Sequence, residues 1–318
     1  MDILLARMNI TKKSMVKNLT AEMCGRCHQG KHRPTYEEWN KSKHSQALID
    51  LKKNKGAKDE CLECHSSQYI TAEERSKPTL NTSTLGLTCQ ACHSPHIPDN
   101  TELLRMPKDK LCESCHNMEG AKPGSAPHHS QSEMRRSFGG VDADTYIYQP
   151  NAACADCHRF TWKYNQSGNN ESAITGHTFK IDFNVCLKCH EGFSNAEEAE
   201  KYVKNQQEET MNLYNNTLPK VNDAGNITAR IGGSEKDIYL HVYNESLFNI
   251  QMFAADKSKG AHNPKYAKEL IEKADFKAAN IILGQPEVKV QGLPGFEFLQ
   301  GFVTLLFVVL VITRRQRK

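Results

Sequence analysis

Six times along the chain, two cysteines stand three positions apart with a histidine directly after the second. The sets are Cys24/Cys27/His28, Cys61/Cys64/His65, Cys89/Cys92/His93, Cys112/Cys115/His116, Cys154/Cys157/His158 and Cys186/Cys189/His190. In C-x-x-C-H each thiol can form a thioether with a vinyl group of haem, and the adjacent imidazole is placed to ligate the iron. All 12 cysteines fall in these motifs. Zinc is the rival chemistry, because C-x-x-C pairs also build structural zinc sites. With 14 His in 318 residues, six random positions would all be His with a probability of roughly 10⁻⁸, so the trailing histidine is part of the signal. Disulfides are the second rival, but cysteines three positions apart make poor long-range staples. The motifs therefore predict six covalently bound haems c.

Six histidines are then proximal ligands, leaving His32, His44, His96, His128, His129, His177, His241 and His262 for six distal positions. His44 falls near one face with Tyr36, Leu48 and Leu51 at helical spacing, so it points where the apolar residues point. His96 follows proximal His93 too closely to share its iron and is expected to reach a neighbouring one. His128 and His129 are adjacent, one a ligand and the other its neighbour or exposed. His177 precedes the sixth motif in Gly-His-Thr-Phe, and His262 stands just ahead of a helix. The expected distal set is His44, His96, His128, His177, His262 and one of His32, His129 and His241. Met106, Met118 or Met134 could replace one of these, although methionine is more often packing.

The elements that must position these residues are mainly α with much irregular loop. Hydrophobic residues are only 38% of the chain and mean hydropathy is −0.64, so residues 24–192 are expected to fold around porphyrin as their missing apolar interior. The formal charge of +4 would move to about −2 oxidised and about −8 reduced once propionates and irons are included. No basic stripe with interleaved aromatics is present, which argues against nucleic acid. Thioether attachment is normally completed outside the cytoplasm, so export is expected. Residues 1–23 hold only the short apolar run Ile3 to Ala6, too brief for a signal peptide, which is read as a start assigned too late or a trimmed sequence. Asn-x-Ser/Thr sequons such as Asn81 and Asn244 would suit an exported glycoprotein.

Thr35 to Glu38 reads as a capping box opening a helix to about Leu51, and Thr71 to Glu74 as a second box. Residues 193–285 are charged and helical. One helix is predicted from Ser194 and Asn195 to about Asn216, with a connection over 219–233. A second spans about 234–256 with a seam of Leu240, Tyr243, Leu247, Ile250 and Ala254, and Asn263-Pro264 opens a third to about Ala279. Residues 286–295 read as a linker. Residues 296–318 read as one terminal transmembrane segment, apolar from about Phe298 to Thr313 and ending in Arg314-Arg315-Gln316-Arg317-Lys318.

Two resemblances follow from these residues. Leu293-Pro294-Gly295-Phe296-Glu297, with its apolar run and basic end, resembles the archaeal PGF-CTERM sorting signal. The resemblance implies processing at Pro294, Gly295 and Phe296, and a lipid anchor on the extracellular face of the cytoplasmic membrane. The remainder, through Trp39 with Ser42-Lys43-His44, Gly176-His177-Thr178-Phe179 and Gly260 to Tyr266, resembles the multihaem cytochrome c superfamily of nitrite reductase and hydroxylamine oxidoreductase. That resemblance implies a multihaem cytochrome c fold, distal roles for similar histidines, and oligomerisation through C-terminal helices. No motif is C-x-x-C-K, the lysine-ligated form at the catalytic haem of most nitrite reductases.

Eight spare histidines for six irons make full bis-His ligation affordable, and a six-coordinate iron passes electrons without binding substrate. The expected function is electron transfer at the cell surface to redox partner proteins or external acceptors. The alternatives are a reductase or oxidase of small nitrogen or sulfur compounds at one five-coordinate haem, and a subunit of a haem filament.

Overall fold

The structure is a computed structural model that describes residues 20–94, 103–143, 152–164 and 172–286. Among these residues there are no strands beyond two isolated bridges, His93 with Leu104 and Trp162 with Ile174. The first half is loops and short helices: α1 (Ala21–Gly25), α2 (Thr35–Asn40), α3 (Lys43–Lys53), α4 (Leu62–His65), α5 (Ser67–Thr71), α6 (Lys108–Glu113), α7 (Gln131–Arg136) and α8 (Cys154–His158). The second half is three long helices, α9 (Ala196–Thr228), α10 (Lys236–Asp256) and α11 (Pro264–Ile282).

The two halves differ in what they bury. The helices of the second half share one core, in which α11 contributes Ala267, Leu270, Ile271, Ala274, Ala278 and Ile281, all at most 1% exposed. Those positions recur at helical spacing and form one apolar stripe. Before residue 192 the buried apolar residues are several alanines with Leu48, Leu51, Leu62, Met118, Met134 and Val185. Leu48, Leu51 and Leu62 form a small cluster, while Met118, Met134 and Ala143 join the helical core. So little buried apolar volume matches the expectation that a prosthetic group supplies the interior of this half.

Residues 118–143 fasten the halves together. Ser130 Oγ donates to Met252 O at 2.6 Å, and Asn249 exchanges two bonds with Val141, 2.8 and 2.9 Å. Gly140 N donates to Tyr266 Oη at 2.8 Å, and a Cβ there would meet Leu270 and the Tyr266 hydroxyl. Only glycine admits that approach.

Four local expectations are corrected. The helix predicted over 35–51 is two, α2 and α3, because Ser42 is extended and restarts the chain. The Thr35 box does not form, because its acidic member, Glu38, is committed to Thr175 and His177 instead. Thr71 ends α5 and donates its hydroxyl to Ser67 O, and only a single 3-10 turn, Glu74–Ser76, follows. The first long helix runs past Asn216 and through Pro219 to Thr228. Proline removes one ladder bond there, but Thr217, Val221, Ala224 and Thr228 are buried on either side of it, and packing of that face outweighs the loss.

The buried face of α10 is wider than the predicted seam and is centred on neighbouring positions. Tyr239, Val242, Ser246, Asn249, Phe253 and Asp256 are buried; of the predicted seam Ile250 is buried and Tyr243 and Leu247 pack against the core, whereas Leu240 is 42% exposed. Hydrophobicity alone misplaces it because three of its members are polar and buried with partners: Ser246 Oγ donates to Ala274 O at 2.7 Å, Asn249 holds Val141, and Asp256 holds His262. Of the described helices none is long and apolar enough to cross a membrane; the expected span and sorting signal lie outside the described residues.

Candidate haem-binding centre

Each C-x-x-C-H motif sits in one helical or 3-10 turn. His28, His93, His116 and His190 donate their backbone N–H to the first cysteine of their own motif at 2.9 to 3.0 Å. The second cysteines of the same motifs donate to that carbonyl at 3.1 to 3.2 Å. One such turn brings positions i, i+3 and i+4 to a single face, so two thiols and an imidazole address one planar ligand. All 12 cysteines are unpaired thiols. Among the described residues no group of three or more His, Cys, Asp or Glu converges as a zinc site requires.

The histidines outside the motifs are brought opposite those inside them. Ring centroids lie 6.1 Å apart in His44 with His116, 5.9 Å in His65 with His129, 6.2 Å in His93 with His177 and 6.1 Å in His158 with His262. Two imidazoles each bound through nitrogen at about 2 Å to one metal would have centroids about 6 Å apart. The spacing therefore fits an iron with two axial histidines in four of the six places.

Hydrogen bonds fix which nitrogen faces the gap. Nδ1 of His65, His158 and His177 meets the carbonyl oxygens of Ala47 at 3.2 Å, Phe179 at 3.1 Å and Thr175 at 3.0 Å. A carbonyl only accepts, so Nδ1 carries the proton and Nε2 keeps its lone pair. His262 Nδ1 meets the Asp256 carboxylate at 2.5 Å. Burial pushes His44, His129 and His177 down to about 4, so these rings are neutral and ligand-competent near neutral pH.

The motifs are also neighbours. Before thioether formation, thiols of different motifs hydrogen-bond: Cys24 with Cys89, Cys64 with Cys115, and Cys112 with Cys154. In each pair one thiol is favoured as the anion: Cys24 is lowered, Cys115 falls to about 7 and Cys154 to about 6, while the partners rise. Arg105 bridges the third and fourth motifs, since its backbone donates to Cys92 O and its guanidinium to Ala91 O while its charge acts on both Cys92 and Cys115. Lys108 of α6 pairs with Asp156 of α8 at 3.0 Å, joining the fourth and fifth, and α8 packs against the 3-10 turn Phe183–Lys188 that carries the sixth. Cys27, Cys157 and Cys189 are exposed.

The other expected residues are placed as follows. Of the adjacent pair, His129 lies 5.9 Å from both His65 and His116, and His128 is exposed. His129 has φ +55, a left-handed conformation, and its ring lies edge-on to that of His128 at 5.2 Å. His32 stacks on Tyr164 at 4.1 Å; His241 is 65% exposed beside Glu245. Met118 and Met134 are buried in the helical core, as packing residues. His96 lies outside the described residues. Sequence reasoning missed Glu38, whose carboxylate accepts from Thr175 N at 2.9 Å, Thr175 Oγ1 at 2.7 Å and His177 N at 2.8 Å. It also missed Asp256. Neither carries a local signal, because each acts on a residue brought to it by the fold.

Comparison with known proteins agrees with this arrangement. Family models for cytochrome c552, for a doubled CXXCH motif and for cytochrome c554 and c-prime match residues 143–287, 84–121 and 23–94 respectively. No curated protein sequence is significantly similar. Among solved structures the outer cell wall cytochrome OcwA is 29% identical with a TM-score of 0.64, covering 78% of this chain and 51% of that one. The undecahaem cytochrome from the S-layer of Carboxydothermus ferrireducens is 22% identical, TM-score 0.62, covering 88% and 47%. Cytochrome c nitrite reductase from Desulfovibrio desulfuricans ATCC 27774, at 13% identity and TM-score 0.53 over 76% and 71%, shares the fold alone. The chain spans about half the length of the first two. Three family models over its motifs, the helical architecture and the paired imidazoles make the chain similar to the multihaem c-type cytochromes, and they support covalent attachment of haem c through its CXXCH motifs.

Proposed function

We propose that the chain is a cell-surface electron-transfer cytochrome carrying six haems c in one connected path. Its observational support is that four motif histidines, His65, His93, His116 and His158, each have an imidazole from elsewhere in the chain at 5.9 to 6.2 Å, His129 standing 5.9 Å from both His65 and His116. Iron porphyrin, when bound, supplies one-electron transfer, and two axial histidines leave no open position for a substrate. His44, His129, His177 and His262 are the distal ligands of the fourth, second, third and fifth motifs. The contacts between motifs run first to third to fourth to fifth to sixth, with the second beside the fourth. Cys27 at one end of that order and Cys157 and Cys189 of its last two motifs are exposed, which suits exchange with redox partner proteins or external acceptors. The outer cell wall and S-layer locations of the similar cytochromes support the same placement, with the C-terminal tail as a membrane or lipid anchor.

A second reading, reduction of a small nitrogen or sulfur compound, draws on the sixth motif. The ring beside His190 is Phe193, at 5.8 Å, and His32, His96, His128 and His241 remain outside the four pairs. Haem quantitation with low-temperature EPR of the oxidised protein tests both. Six haems with only low-spin ferric signals are expected for the electron path. A high-spin component that changes on adding nitrite or hydroxylamine would instead establish the open iron.

A further inference from the structure

Among the histidines paired across motifs, His262 differs in what its outer nitrogen touches. His65, His158 and His177 give Nδ1–H to neutral carbonyls, but His262 Nδ1 meets the Asp256 carboxylate. The Asp256 side chain is 0% exposed, and among the described residues its ion pairing is to His262 alone. Its second oxygen accepts from Ser258 Oγ, which in turn accepts from His262 N at 3.2 Å.

The turn that makes this contact is built rather than incidental. It leaves α10 through Lys257 and Lys259, both at positive φ, and Gly260 at φ +86, then enters α11 with Asn263 capping Tyr266 N. Gln207 and Thr210 of α9 donate to Ser258 O at 2.9 Å and Lys259 O at 2.5 Å, and Gln131 of α7 donates to Asp256 O at 3.1 Å. Asn263 Nδ2 donates to Ser137 Oγ at 2.6 Å. Four elements thus hold the carboxylate and the imidazole in register, and the fold bears a buried anion to do it.

A carboxylate accepting Nδ1–H draws the proton away from the ring and leaves the imidazole partly imidazolate. Such a ring gives more electron density to a metal at Nε2, and the adjacent negative charge favours the more positive oxidation state. We infer that Asp256 is a positioning residue that, through His262, holds the reduction potential of the Cys154/Cys157/His158 site below those of the sites of His65 and His177, whose Nδ1–H goes to carbonyls. The inference rests on the pairing of His158 with His262 proposed above. It puts the low step of the path between the fourth and sixth motifs, so electrons dwell on either side of it.

The test is spectroelectrochemical titration, with EPR, of the fully haem-loaded chain carrying Asp256→Asn, Asp256→Glu or His262→Ala. D256N should raise the midpoint of one haem, with the other midpoints and the haem content unchanged, and should widen the g spread of one low-spin signal. D256E should return both toward wild type. H262A should convert one low-spin haem to high spin. Unmoved midpoints in D256N, or midpoints that all move together, would overturn the role of Asp256 while H262A still gave its high-spin haem. A wild-type spectrum in H262A would overturn the pairing itself.

Discussion

Two adjacent histidines show how residue-scale chemistry is settled by backbone conformation. His128 and His129 have the same side chain and the same local sequence, yet only His129, at φ +55, faces His65. His129→Ala is therefore expected to yield one high-spin ferric haem by EPR at unchanged haem content, whereas His128→Ala leaves the spectrum as it is. His44→Ala should likewise open the haem of the fourth motif, because its ring lies across from His116 and packs edge-on against Phe179 at 4.6 Å. A pyridine haemochrome assay alongside the EPR separates a lost ligand from a lost haem.

Glu38, at the scale of elements, links α2 to the Gly176-His177 turn. Gly176 has φ +74, and a Cβ there would press on the Arg159 and Phe160 backbone, so the turn needs glycine and an external clamp. Glu38→Gln removes the charge from three hydrogen bonds and should cost about 1.5–3 kcal/mol in urea unfolding. The low-spin signal of the third-motif haem should broaden. Pro219 acts in the opposite direction. It is exposed inside α9, and Pro219→Ala should restore a ladder bond and raise stability by about 1–3 kcal/mol. Thermal unfolding followed at 222 nm checks the sign.

For the whole molecule, the neutral state of the distal imidazoles couples ligation to stability. Burial holds His44, His129 and His177 at about 4, below the ordinary value near 6.5. Between those values the unfolded chain takes up protons that the folded chain refuses, so stability is full above about pH 6.5 and declines as pH falls toward about 4. Iron bound at the same nitrogens pulls in the same direction, since protons compete for it. The urea midpoint of the haem-loaded protein is expected to fall between pH 7 and pH 4.5, together with the low-spin Soret spectrum. An acid-insensitive midpoint would mean that the folded and unfolded chains bind the same number of protons over that range.

What the sequence determined is what one turn of chain can encode. Two thiols and an imidazole at i, i+3 and i+4 specify attachment with no help from the rest of the molecule, and Asn195 and Asn263 announce their helices by capping them. The lack of apolar residues before 192 likewise announced an interior made of something else. The fold alone decided which distant histidine meets which motif, that Glu38 serves His177 rather than its own helix end, and that α10 turns Ser246, Asn249 and Asp256 inward. Those contacts join residues far apart in the chain, and a polar side chain is buried at low cost only beside a partner that folding delivers.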